Sequence, residues 1–262
     1  MCFLKAPLII RYFTIWQLAF PVKQRASLWP QAIFRGSLNF YIDGIMIRFI
    51  YLHGFASGPN SQKATAFKEY FGKMGISLIV PDLEGGDFQH LTLSRQINTI
   101  QECLDNERGN IFGMIGSSLG GYLASLMVQL RDEIKAAYLM APAFNFLERW
   151  GNRLDMDLNK LVENNHLISV FHFRYNKNIP LNPFIFKDAQ KWEKLARDRI
   201  LPIRIVHGKY DETVDIEESR KFSMSRHFCE LAELDTDHSL LSELQWILND
   251  CRSFFQKEGL LK

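Results

Sequence analysis

The sequence predicts an α/β fold: a mostly parallel sheet of about six strands, helices on both faces, and one long insertion after the fourth strand. Three observations carry that expectation. Short, near-continuous apolar runs alternate with segments of helical periodicity, the pattern of strands buried on both faces. These runs end in loops rich in residues capable of chemistry, where a parallel sheet collects its ligands. Finally, Met114-Ile-Gly-Ser-Ser-Leu-Gly-Gly121 reads as a strand entering a glycine-hedged serine and leaving directly into a helix.

Taken in order, the first strand is Arg48 to His53, followed by a loop, Gly54-Phe-Ala-Ser-Gly-Pro-Asn60. A helix then starts from a cap at Asn60 or Ser61, with apolar positions at Ala66, Phe67, Tyr70, Phe71 and Met74, and Gly75 at its C-terminal cap. Ile76 to Pro81 is the second strand, and a helix over 94–104 leads to the third, Asn110 to Ile115. Leu119 to Leu130 forms the next helix, and Ile134 to Ala141 the fourth strand. The pattern resumes with a strand at Pro202 to His207, a helix over 216–226, a strand at Cys229 to Leu234, and an amphipathic helix over 240–255. Between them, residues of about 143–201 form an aromatic-rich insertion. Within it, Leu167 to Phe186 alternates like a hairpin around Asn176-Lys-Asn178. An insertion this long is usually functional, and its place beside the serine makes it a candidate cap.

Composition bounds the function. A chain of 262 residues, 47% hydrophobic and 23% charged, can bury one large core. A net charge of +2 argues against a dedicated nucleic-acid binder. Cys2, Cys103, Cys229 and Cys251 show neither disulfide-framework nor metal spacing, so no metal site is expected and a reducing, cytoplasmic compartment is. Residues 1–45 differ from the rest, with five basic side chains against Asp43 alone, a net of +4 that leaves −2 for the remainder. Their apolar runs are too broken for a bilayer span or a secretory signal. Three readings stay open: an extension outside the fold, a basic targeting or surface-binding arm, or a packed decoration. The main domain is expected over 46–262.

The serine motif has the form G-x-S-x-G, with Gly116, Ser118 and Gly120 in register. Such a turn brings backbone against backbone, so positions two before and two after the serine exclude a Cβ. That selects Ser118 over Ser117, whose corresponding neighbours are Ile115 and Leu119. Two later strand ends supply partners: Gly208-Lys-Tyr-Asp211 an acid, and Asp235-Thr-Asp-His238 a base, in the chain order Ser, Asp, His. Asp237 and Asp215 are rival acids, the first poorly placed beside His238, the second lying beyond Val214.

From Met46 to about Gln256 the chain resembles the α/β-hydrolase superfamily. The resemblance rests on the elbow Gly116-Ser-Ser-Leu-Gly-Gly121, the acid loop Gly208-Lys-Tyr-Asp-Glu-Thr-Val214 and Asp237-His238. With Tyr51-Leu-His-Gly-Phe-Ala-Ser-Gly-Pro-Asn-Ser61 as its opening, it looks most like the small YqiA/YcfP-like esterases. The resemblance implies a serine esterase with Ser118 as nucleophile, His238 as base and Asp211 orienting the imidazole. Backbone N–H groups of Leu119 and of Phe55, after His53-Gly54, would hold the oxyanion. No cofactor is implied, and the expected partner is a small acyl ester. The alternatives are an acyl thioesterase and a ligand-binding protein on a hydrolase scaffold. His53 and His207 are expected in structural roles on loop backbone, and Asp82 as a loop cap. His90, His166, His172 and His227 show no metal spacing.

Overall fold

The apolar runs become strands because their alternate side chains are buried on opposite faces of one sheet. In β2 (Ile45–Leu52), Ile47, Phe49 and Tyr51 face one core while Ile50 and Leu52 face the other. The same alternation continues in β4 (Ile111–Ser117), where Met114 and Ile115 part company, and in β5 (Ile134–Met140), where Tyr138 and Leu139 do. The computed structural model describes residues 40–42 and 45–262. The expectations for the basic N-terminal stretch otherwise lie outside the described residues.

All six expected strands are present. β3 (Leu78–Ile79), β2, β4, β5, β8 (Ile203–Gly208) and β9 (Cys229–Leu234) lie side by side in that order, every neighbouring pair parallel. A further strand, β1 (Phe40–Ile42), pairs antiparallel with the start of β2 on the edge that β3 uses further along. β3 is only two residues long, shorter than the apolar run Ile76 to Pro81, because Pro81 cannot donate to a ladder.

On one face pack α1 (Gln62–Lys73) and α8 (Leu244–Lys257); on the other α2 (Leu93–Asp105) and α3 (Leu119–Leu130), joined by Phe222 of α7 (Ile216–Met224). α1 shows how local chemistry sets these boundaries. Ser61 Oγ accepts from the Ala64 amide, and at the other end Gly75, at φ 75°, lets its own N–H reach Gly72 O and that of Ile76 reach Phe71 O. α8 begins four residues later than its periodicity predicts. Buried Leu240 sits at φ 58°, in the left-handed region, so no helix can run through it.

The insertion is more helical than expected. α4 (Phe146–Leu154), α5 (Leu158–Glu163) and α6 (Phe184–Glu193) surround a hairpin of β6 (Ile168–His172) and β7 (Lys177–Leu181). The signal was present in Phe146, Trp150 and Leu154, spaced by four, but these segments are short and bulky aromatics favour helix no more than strand. Phe146, Trp150 and Phe186 pack ring against ring and join the core on the α2–α3 face.

The elbow after β4 holds the sheet and its connections at one point. A Cβ on Gly116 would lie 2.4 Å from Gly120 O, and one on Gly120 would lie 2.2 Å from Leu52 O. Gly120→Ala therefore forces β2 and α3 apart. It is expected to lower stability by about 1–3 kcal/mol, the usual cost of overpacking, read as a fall in thermal midpoint. An unchanged midpoint would mean that this approach relaxes freely.

Candidate active site

β2 and β4 are neighbours in the sheet, yet their following connections leave in opposite directions, β2 toward β3 and β4 toward β5. A crevice opens at such a switch point. Ser118 sits in it, at φ 53° and ψ −119°, a conformation non-glycine residues rarely adopt and one that costs on the order of 1–3 kcal/mol. It is pinned on both sides: its amide donates to Met140 O at 2.9 Å, and its carbonyl accepts from Ala143 N at 3.0 Å.

Ser118, His238 and Asp211, 27 residues or more apart in the chain, meet here. His238 Nε2 lies 3.1 Å from Ser118 Oγ, and its Nδ1 lies 2.6 Å from Asp211 Oδ2. The Asp211 side chain is fully buried, whereas that of His238 is one quarter exposed. Burial alone would raise the Asp211 carboxyl. Hydrogen bonds from His207 and His238, the charge of His238 and the Val214 amide overcome it and hold the group well below the usual carboxylate range. Oδ1 is also occupied, accepting from the amides of Thr213 and Val214 at 2.8 Å each.

The rival acids are engaged elsewhere. Asp237 Oδ1 accepts from Ser239 N and Oγ, and Asp215 caps α7 by accepting from Glu217 N. Gly54 places the loop after β2 against the serine, since a Cβ there would lie 3.4 Å from Ser118 Cβ. The amides of Phe55 and Leu119 follow directly on these two residues, and neither donates to a protein acceptor among the described residues. His53 fixes this loop from beneath, its Nδ1–H donating to Gly54 O and its Nε2 accepting from Leu83 N. Asp82 caps its own loop through the Glu84 amide.

The cleft over Ser118 has a volume of about 760 Å³. Phe173, Tyr210 and Leu241 give it an apolar rim, and Lys63 is its one Lys or Arg. Burial drives the Lys63 amine down to about 8, against the pull of Asp211 and Asp237. Spacing offered no signal for this lysine, which faces the site only because α1 packs beside β2.

The insertion is tied to the crevice by three successive residues of its hairpin. His172 Nε2 meets Glu84 at 2.9 Å, Phe173 N donates to Ala56 O at 2.9 Å, and Arg174 donates to Asp82 at 2.8 Å. Both members of the first pair are buried, His172 at 0% and Glu84 at 3% exposure. Burial and Asp82 push the Glu84 acid up to about 7, while burial and the charges of Arg174 and His53 press His172 down. Both directions run against a fully charged pair at this buried contact. From behind, Arg149 of α4 donates to Thr213 O and braces the acid loop.

Cys103, Cys229 and Cys251 are free thiols. Among the described residues no cluster of three or more His, Cys, Asp or Glu could hold a metal ion, and no helix is long and apolar enough to cross a membrane.

In its sheet, its elbow and its connections the chain has the α/β-hydrolase fold. More closely, it belongs to the uncharacterised protein family UPF0227, whose model matches residues 48–256. Among solved structures it is similar to the alpha/beta hydrolase domain-containing protein 10 from mouse, at 20% identity and a TM-score of 0.67, over 80% of this chain and 89% of that one. It is also similar to Est1E from Butyrivibrio proteoclasticus, at 22% identity and a TM-score of 0.65, over 86% and 99%. The esterase domain of a Rhodothermus marinus protein matches at 15% identity and a TM-score of 0.59, over 80% and 86%. At these identities the likeness is one of fold.

The buried hairpin pair gives a direct test. Glu84→Ala leaves a buried imidazole without its partner and is expected to cost roughly 1–3 kcal/mol, seen in denaturant titration. Asp235→Ala, which removes the exposed partner of Lys209, should leave the midpoint where it is. Equal behaviour of the two variants would deny the hairpin contact any structural weight.

Proposed function

We propose that this chain is a serine hydrolase that cleaves carboxylic esters through an acyl-enzyme. One observation carries the reading: a single imidazole reaches the Ser118 hydroxyl with one nitrogen and a buried carboxylate with the other. A serine hydroxyl is a weak nucleophile until a base takes its proton. His238 Nε2 takes it as Oγ attacks the ester carbonyl carbon. Asp211 holds the ring by its Nδ1–H and stabilises the imidazolium as it forms.

The carbonyl oxygen, now an anion, lies between the amides of Leu119 and Phe55. The Leu119 amide stands at the N-terminus of α3, where the helix dipole adds to its pull. His238 returns the proton to the leaving oxygen as the acyl C–O bond breaks. A water then adds to the acyl-enzyme, gives its proton to His238, and the acid departs as Ser118 regains its hydrogen. Each oxyanion donor is worth about 3 kcal/mol in sites of this kind, roughly two orders of magnitude in rate.

Hydrolases and esterases among the similar structures support the reaction class. The apolar rim of Phe173, Tyr210 and Leu241 suits an acyl chain, so an acyl thioester is the competing substrate.

A fluorophosphonate probe is expected to label wild type at Ser118 and to miss Ser118→Ala; a folded wild type that stays unlabelled would sink the reading in favour of a binding protein. Asp211→Asn is expected to fold and to lose turnover by about 10⁴-fold, as in other triads. An Asp211→Asn protein that unfolds would make this residue part of the scaffold only. kcat/KM on a p-nitrophenyl ester should fall on the acid side within about pH 5–8, where a histidine base takes up its proton. A flat profile there would remove His238 from the role. Parallel assays on acyl-CoA decide between ester and thioester by their kcat/KM ratio.

A further inference from the structure

Beyond the three side chains of the proposed mechanism, the carboxylate of Asp211 has a second imidazole. His207 Nε2 lies 3.1 Å from the same Oδ2 that binds His238, and 3.0 Å from Val214 O. Its Nδ1 lies 2.7 Å from Ser219 Oγ. His207 and Ser219 are fully buried, as is the Asp211 side chain. The result is an unbroken chain of five side chains: Ser118, His238, Asp211, His207 and Ser219.

We propose that His207 is a positioning residue that holds Asp211 and tempers its pull on His238, and that Ser219 anchors the far side of its ring. The inference rests on the serine-hydrolase reading. An ionised carboxylate and a backbone carbonyl can only accept, so the His207 nitrogen facing both must carry the proton. In the neutral ring Nδ1 is then bare, and it accepts the Ser219 hydroxyl. Burial leaves no water to substitute for either partner.

Two consequences follow for Asp211. With Oδ1 bound to two amides and Oδ2 to two imidazoles, the carboxylate cannot turn, and Oδ2 stays in line with His238 Nδ1. Each neutral donor also spreads the negative charge, so less of it is available to hold a proton on His238. His207 thereby keeps the imidazole free to act as a base at lower pH than an otherwise unshared carboxylate would permit. Other charges near the cluster are Lys63 of α1, Arg149 of α4, Glu218 of α7, Glu233 of β9 and Asp237 before α8. All are unchanged in the variants below, so the comparison isolates the His207 hydrogen bond.

The test is a set of kcat/KM profiles against pH on a p-nitrophenyl ester, for wild type, His207→Phe, His207→Gln and Ser219→Ala, each also treated with fluorophosphonate. His207→Phe fills the space without a donor; its acid limb is expected to move upward by roughly half a pH unit or more, and its plateau to fall about tenfold. His207→Gln keeps a neutral N–H toward Asp211 and should bring the limb back to the wild-type position. Ser219→Ala removes the anchor at Nδ1, loosening the ring against Asp211, and should move the limb the same way as His207→Phe, by less. A merely structural histidine would change stability and leave the limb alone. An unmoved limb in His207→Phe, or equal displacement in the Phe and Gln variants, overturns the proposal. Should His207→Phe fail to fold, an unmoved limb in Ser219→Ala overturns it. Failure of the underlying reading looks different, since folded wild type would then take no label at Ser118.

Discussion

The structure depends on one close approach of main chain to main chain. Gly120 comes so near Leu52 and His53 carbonyls that only hydrogen fits between them. This contact joins the end of β2 to the first turn of α3. It also brings the Gly54–Phe55 backbone over Ser118, putting the elbow and the donor loop on one site. The unfavourable φ of Ser118 persists because its amide and carbonyl are both fixed to the β5 side. Strain held this way exposes a side chain at a helix N-terminus, where the proposed oxyanion is best stabilised.

A second hub is the buried carboxylate of Asp211. A charge removed from water costs far more than any single hydrogen bond returns, and it persists only where several donors converge. Two amides of its own turn and two imidazoles supply four. The arrangement makes the acid loop rigid independently of His238. Arg149, reaching from the insertion to Thr213 O, adds a brace from outside the sheet.

The insertion is part of the same construction. Its helices complete the apolar core on one face, and its hairpin grips the loops after β2 and β3 through three adjacent residues. Phe173, between the two side-chain contacts, stands at the mouth of the cleft, 73% exposed. The rim of the proposed substrate site is thus set by a backbone bond to Ala56, with the ring packed edge-on against Phe171.

The sequence by itself determined the parallel sheet, the elbow and the chain order of the serine, acid and histidine. Each of these is local: a run of apolar residues, a glycine two positions either side of a serine, a polar loop at a strand end. It also selected Ser118 over Ser117, because the exclusion of Cβ acts at fixed offsets along the chain. The helices α4 to α6 were carried by too few residues to outweigh the aromatic character of the insertion. Only the tertiary structure decided that His207 shares the Asp211 carboxylate, that Glu84 meets His172, and that Lys63 looks into the cleft. His207 and Asp211 are only four residues apart but meet through the turn between them; the other contacts cross between elements far apart in sequence. Their geometry is set by how the strands stack and the helices dock, which no spacing along the chain records.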